Sequence, residues 1–166
     1  MGRARAARMA SRLPLRQNHD HIGVMTMIDA HSADTAVPER LKRAGLRPTR
    51  QRLALAALLF DGGHRHVTAE QLQGEAGTNA IKVSLATIYN TLHQFTEAGL
   101  LREVVIEPGR SYFDTNMDDH HHFYVEGSGR LLDIPADSVS LASLPTPPEG
   151  TEISRVDVII RIAARA

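Results

Sequence analysis

The chain is predicted to be α+β, with a helical first half ending in a strand hairpin and a smaller second half of strands around one short helix. Three observations predict this. Helix-starting and helix-stopping residues bracket apolar segments of helical period between residues 38 and 99. β-Branched residues take over from Leu100, and the charge balance reverses beyond the hairpin.

Pro38 stands where it opens a helix over Glu39–Ala44, stopped by Gly45. Leu46-Arg47-Pro48 is a connector, because the residue before proline is pushed out of helical space. Thr49 is a suitable N-cap for a second helix, Arg50 to Phe60, closed by Gly62-Gly63. Its apolar positions Leu53, Ala56, Ala57 and Phe60 recur at helical spacing. Thr68-Ala-Glu-Gln71 has the form of a capping box and starts a third helix ending near Gly77. Ser84 caps a fourth helix that runs to about Ala98, with Gly99 past its end. Leu100–Ile106 and Ser111–Asp114 follow as strands joined by the turn Glu107-Pro108-Gly109-Arg110. Helices and a hairpin in this order describe a winged helix-turn-helix N-terminal domain, assigned to residues 38–115.

Residues 116–166 are assigned to a small α/β dimerisation and sensor domain. His121–Glu126 and Arg130–Ile134 are expected to pair around Gly127-Ser128-Gly129. A short helix is expected over 136–144, a loop over 145–150 and a closing strand over Ile153–Ile162. So small a half buries little core by itself, which dimerisation would remedy. Residues 1–37 read as a disordered basic extension, with five Arg and one acid in the first 27 residues. Met25 and Met27 are alternative starts, so part of this stretch is expected to be mis-annotated; the other reading is a basic arm that touches phosphates.

The chain has no Cys, which excludes disulfides, thiolate zinc sites and a cysteine nucleophile. No apolar run reaches the ~18–20 residues needed to span a bilayer, and the N-terminus lacks a secretory pattern; a cytoplasmic location is expected. The net charge of zero hides an asymmetry. Residues 38–110 carry ten Lys/Arg against seven acids, whereas residues 111–166 carry four against nine. A basic half joined to an acidic, histidine-bearing half suits a DNA reader coupled to a cation sensor.

On the fourth helix, Leu85, Ile88, Leu92 and Phe95 share one face, with Ala86, Thr87, Asn90 and Gln94 opposite and Tyr89 near the boundary. The polar face suits base edges in the major groove, with Asn90 and Gln94 reading adenine and Ala86, Thr87 and Tyr89 touching thymine methyls. Arg47, Arg50 and Arg52 are placed to bind flanking phosphates. An ordinary amphipathic surface helix would look the same, but the hairpin directly after it favours DNA.

Asp118-Asp119-His120-His121-His122 is the densest chemical signal. On an extended chain His120 and His122 point the same way, and paired imidazoles beside carboxylates suit Fe, Mn, Zn or Co. His66, Asp114 and Asp133 are the candidate further ligands. Haem is the alternative, since imidazole is its commonest axial ligand. A metallohydrolase would need an open metal position with a supporting acid or base; no HExxH pattern exists, and no enzyme is expected.

These residues carry a family resemblance. Arg43-Ala-Gly-Leu-Arg-Pro-Thr-Arg-Gln-Arg52, His66-Val-Thr-Ala-Glu70, Leu85-Ala-Thr-Ile-Tyr-Asn-Thr-Leu92, Gln94-Phe-Thr-Glu-Ala-Gly-Leu100, the histidine run and Gly129-Arg-Leu-Leu-Asp133 resemble the ferric uptake regulator (Fur) superfamily over about residues 38–162. The resemblance implies a winged-helix domain that binds an operator in double-stranded DNA, a homodimer, and control by iron or a related signal. It implies that His66, Asp114, His120, His122 and Asp133 form a regulatory site bridging the two domains, and that Tyr89 contacts bases.

The sequence also departs from the family. Its usual cysteine zinc site cannot exist here, and Asp114 and Asp133 stand where glutamates are usual. Asp119-His-His-His122 replaces a His-His-Asp-His pattern, Val156 replaces a second-site histidine, and Asn90 replaces an arginine. Together these resemble the iron response regulator (Irr) branch of alphaproteobacteria, implying a regulator of iron and haem genes with haem at His120, His121 and His122. A divalent-metal or peroxide-responsive regulator (Mn, Zn or Fe) is the alternative.

Overall fold

A computed structural model describes residues 36–164 of the chain, and the following statements concern those residues. The first half is helical. Helix α1 covers residues 36–43 and seals Leu41 completely; Gly45, at φ +74°, turns the chain out of it. Residues 36 and 37 therefore belong to this helix rather than to an extension, and the rest of the expected basic extension lies outside the described residues.

Helix α2 is Arg50–Phe60, with the Thr49 side chain accepting from Arg52 N–H. Strand β1 is His66–Val67, and α3 is Ala69–Thr78. The Thr68–Gln71 capping box closes reciprocally: Gln71 N–H donates to Thr68 Oγ1, and Thr68 N–H donates to Gln71 Oε1. Helix α4 is Leu85–Glu97, capped by Ser84. Ile88, Leu92 and Phe95 from α4 join Leu55 and Leu59 of α2, Leu72 of α3, and Val67 and Phe113 in one fully buried core. Leu85 is only half-buried at its edge.

Strands β2 (Arg102–Glu107) and β3 (Arg110–Asp114) form the hairpin, and β3 also pairs with β1 to give an antiparallel sheet ordered β1-β3-β2. The two-residue β1 is invisible to periodicity, yet it sets His66 opposite Asp114.

Strands β4 (His120–Val125) and β5 (Arg130–Pro135) pair antiparallel, and β6 (Ile159–Ile162) runs parallel to β4 on its other edge. The expected helix over 136–144 is a single 3₁₀ turn, Ala136–Ser138. Every residue of 136–144 except half-buried Val139 is exposed, so no packing of an apolar face supports a helix there. The expected closing strand is likewise confined to its last four residues, because β4 offers only residues 122–125 as partners.

The two sheets meet through Val104, Ile106, Tyr112, Tyr124 and Leu131, with Ile159 packed against them. Tyr112 Oη donates to Gly129 O, Arg110 Nη1 to Tyr124 Oη (2.7 Å), and Arg161 Nη2 to Ile106 O (2.7 Å). No described helix is long and apolar enough to cross a membrane.

Candidate metal centre and nucleic-acid face

Strand alternation decides which histidines turn inward. On β4, His120 and His122 are buried and His121 and Phe123 face the other side. His122 lies opposite Asp133 on β5, while His66 lies opposite Asp114 across β1 and β3. One donor atom from each of His66, Asp114, His120, His122 and Asp133 lies within 4.8 Å of every other. Two ligands come from the first sheet and three from the second, so the cluster sits on their junction.

Asp114 Oδ2 is 2.9 Å from His120 Nε2, 3.5 Å from His122 Nε2 and 3.6 Å from His66 Nε2. Asp133 Oδ1 is 2.9 Å from His66 Nε2 and 3.7 Å from His120 Nε2. His120 Nε2 and His122 Nε2 are 3.0 Å apart. Despite this crowding, His66 Nε2 and Asp114 Oδ2 are buried without a hydrogen-bond partner, because the close contacts are not directed along N–H bonds. His120 Nδ1 lies 2.7 Å from Asp118 O, close enough to donate a ring proton to that carbonyl. Its Nε2, 2.9 Å from Asp114 Oδ2, stays that close to the carboxylate with a proton or a metal ion between them. Donors held about 2.0–2.2 Å from an ion would be spaced at about 3 Å or slightly more, as these are. Three imidazoles and two carboxylates, without sulfur, fit Mn, Fe or Zn, and two carboxylates neutralise a divalent charge.

Burial acts to raise the Asp114 carboxyl, but His122, His66 and the Asn116 N–H outweigh it and hold it well below the usual carboxylate range. Asn116 orients both acids. Its N–H donates to Asp114 Oδ1 (2.8 Å), and its Nδ2 donates to Asp133 Oδ2 (2.8 Å), turning the other carboxylate oxygens inward. Sequence reading missed Asn116; an Asn two residues beyond a candidate ligand Asp, where Asx turns form, was the available signal.

His121 does not join the cluster. It is half-buried on the opposite face, where Val158 N–H donates to its Nδ1 (3.4 Å). The three consecutive histidines expected as one haem site therefore point in two directions.

On α4 the exposed positions are Ala86, Asn90, His93 and Glu97, with Thr87 and Tyr89 half-buried beside them. Gln94, expected to face bases, is half-buried instead. Both Arg52 Nε (3.1 Å) and Nη2 (2.7 Å) donate to its Oε1, so that oxygen cannot also accept from adenine in this arrangement. Arg52, expected at a phosphate, is likewise engaged, donating through Nη1 to Arg47 O (2.9 Å). Arg47 and Arg50 are exposed. Tyr89 Oη donates to Glu70 (2.8 Å), which raises the Tyr89 phenol, and its ring stacks on His93 at 6.3 Å. His93 is a further member of this face that sequence reading passed over, although it lies one turn from Tyr89.

The sequence model of the ferric uptake regulator family matches residues 43–160. The chain belongs to the ferric uptake regulator family. Among curated relatives, a peroxide-responsive repressor PerR of Staphylococcus aureus is 34% identical over 93 residues, which is 56% of this chain and 62% of the relative. The chain thus spans about three fifths of the length of the curated Fur-family relatives it matches. Among solved structures, the Pseudomonas aeruginosa ferric uptake regulator with manganese superposes with a TM-score of 0.59 at 21% identity, covering 79% of this chain and 99% of that one. The Vibrio cholerae ferric uptake regulator gives 0.60 at 21% identity, over 76% and 98%. A zinc-bound manganese uptake regulator gives 0.57 at 21% identity, over 78% and 98%. At such identities these likenesses speak to the fold.

Proposed function

We propose that this Fur-family chain is a DNA-binding transcriptional regulator, not an enzyme, working in the cytoplasm as a homodimer and switched by a divalent cation at His66, Asp114, His120, His122 and Asp133. The observation that carries the reading is the convergence of these five donors from two sheets, with Asp114 Oδ2 and His66 Nε2 left unpartnered at its centre. An ion held there links a winged helix over residues 38–115 to the sensor half beyond it. Occupancy then biases their relative arrangement, provided the ion binds one arrangement more tightly. Relatives described with manganese or zinc, and a peroxide-responsive one, keep Mn, Fe and Zn as the candidate ions.

DNA binding is supported by the exposed cations Arg43, Arg47, Arg50 and Lys82 of the helical half, of which Arg50 and Lys82 line one depression together. Ala86, Thr87, Tyr89 and Asn90 are the base-reading candidates, and Gln94 joins them only if Arg52 releases it for a phosphate. Dimerisation is supported by the outer face of the second sheet. There Leu132 and Ile160 are exposed beside half-buried Phe123, an apolar patch without cover.

The haem-responsive, Irr-like reading is the finer alternative. Axial ligation by His120 or His122 requires the buried cluster to open, since their Nε2 atoms face each other at 3.0 Å. A small cation fits that arrangement without rearrangement, which is why we favour it. The test is calorimetry of the full chain with Mn²⁺, then selection of a random duplex DNA pool with and without Mn²⁺. Saturable binding lost in His66→Ala, and a selected motif retained only with metal, are expected. A Soret band with haem that disappears in His120→Ala, without any Mn²⁺ binding, would overturn the cation reading.

A further inference from the structure

We propose that Arg102 is a positioning residue for the metal centre: it anchors the Asp118 carbonyl that keeps the His120 proton on Nδ1, so that the Nε2 lone pair faces the ion. The proposal rests on the cation reading above. Arg102 opens β2 and is almost fully buried, at 7% exposure, opposite Asp114 in the hairpin register. Its Nη2 donates to Asp118 O (2.9 Å), the same oxygen that lies 2.7 Å from His120 Nδ1. Its Nη1 comes within 3.2 Å of His120 Nδ1 itself.

Those two distances discriminate between the tautomers. Were Nδ1 unprotonated, it would accept from Arg102 at 3.2 Å but meet the Asp118 carbonyl oxygen at 2.7 Å, lone pair against lone pair. With the proton on Nδ1, the shorter contact becomes a good hydrogen bond; the Arg102 Nη1–H also points at Nδ1, so the two contacts compete for that nitrogen and the shorter one prevails. Asp118 O then accepts from both groups, using its two lone pairs. Asp118 lies in the connection between β3 and β4, where Asn116 Oδ1 accepts from its N–H (3.1 Å). Without Arg102 its carbonyl would have no tie to the first sheet.

Burying a guanidinium beside a cation site is costly, which argues for a role beyond packing. Asp114, Asp157 and Asp119 face the charge favourably and Arg155 unfavourably. Arg102 Nε is nevertheless left without a hydrogen-bond partner. Outer-shell groups that fix an imidazole tautomer typically change metal affinity about 10–100-fold when removed. Since β2 begins five residues after α4 ends, the same side chain ties the ligand His120 to the strand leading back to the DNA face.

The test compares Arg102→Lys, which keeps the charge but loses the fork, with Arg102→Met, which loses both. Full-length proteins, checked for folding by circular dichroism, are titrated with Mn²⁺ in the calorimeter. Metal-free samples labelled with ¹⁵N-histidine report which His120 nitrogen carries the proton. Positioning requires both variants to bind Mn²⁺ about 10–100-fold more weakly and to shift His120 toward the Nε2–H form. Arg102→Gln, with one amide donor for Asp118 O, should recover part of both; if Arg102→Met does not fold, Gln and Lys carry the comparison. Tighter binding by Arg102→Met with Arg102→Lys at wild-type affinity would mean that only charge matters, and would overturn the proposal. So would folded variants with unchanged affinity and tautomer. Absence of any divalent-ion binding by the wild type would instead overturn the cation reading itself.

Discussion

Replacing Asp114 by Asn isolates the central anion of the cluster. Asp114 is fully buried, and its Oδ1 accepts from Asn116 N–H. Asn keeps that bond and the side-chain volume, so the fold should persist while the anionic donor facing three imidazoles is lost. At free metal one hundred times its Kd, the ion stabilises the wild type by about 2.7 kcal/mol. Loss of a ligand should cost at least the roughly 100-fold that marks the upper end for an outer-shell partner. At the same free metal the remaining stabilisation is then about 0.4 kcal/mol. The difference, about 2.3 kcal/mol, corresponds to about 5–9 °C of metal-induced shift for a chain of this size. Calorimetric scans with and without Mn²⁺ measure it. A metal-induced shift in Asp114→Asn equal to that of wild type would refute the assignment of Asp114 as a ligand.

The metal-free protein gives an independent acid-side test of the same residue. Because the folded Asp114 carboxyl is held below its unfolded range, it contributes stability above a pH of about 4. That contribution is lost as the pH falls further, so wild type should lose stability more steeply than Asp114→Asn in acid denaturation scans below about pH 4. Tyr89→Phe removes the bond to Glu70 and should leave the urea midpoint almost unchanged, since the pair is largely solvated, whereas Tyr89→Ala should remove selectivity for the selected duplex in a gel-shift competition. Gly129→Ala should destabilise the chain by about 1–2 kcal/mol or more in urea unfolding. Gly129 sits at φ +64°, and an added Cβ would meet Tyr112 Oη at 3.3 Å, next to the carbonyl that this hydroxyl bonds. Phe95→Ala should cost about 3–5 kcal/mol by opening the centre of the helical core.

What the sequence disclosed follows the range of the interactions involved. Helices α2, α3 and α4 were legible because Thr49, Thr68 and Ser84 cap them through bonds spanning three residues. The pairing of β4 with β5 was legible because Gly127–Gly129 turns the chain between two apolar segments. The five ligands were named from the alternation of β4 and a family resemblance, but their approach depends on β1, a two-residue strand placed by pairing with β3. Arg102 escaped notice because its role exists only across chain separations that no local pattern records; Asn116 had a local signal in its bond to Asp114, but its second bond, to Asp133, spans 17 residues. Gln94 and Arg52 were both assigned to DNA, and a contact across 42 residues joins them to each other.

The junction between the sheets also limits what an ion there can do. Five apolar or aromatic side chains and three hydrogen bonds already hold the hairpin against the second sheet without metal. An ion bound to this arrangement therefore adds to a contact that exists, and it can act as a switch only against a competing arrangement in which part of that contact is broken. Two carboxylates from opposite sheets, Asp114 and Asp133, converge on this cluster, and their like charges supply the opposing force in the metal-free state. Apolar burial pulls the sheets together while unneutralised donors at one edge push them apart, and a divalent charge removes the push. On that balance, weakening the apolar side should make closure more dependent on metal. Tyr112→Ala should therefore raise the metal concentration needed for DNA retention while leaving the five ligands in place. Equal metal dependence in Tyr112→Ala and wild type would show that the junction and the metal centre are not coupled.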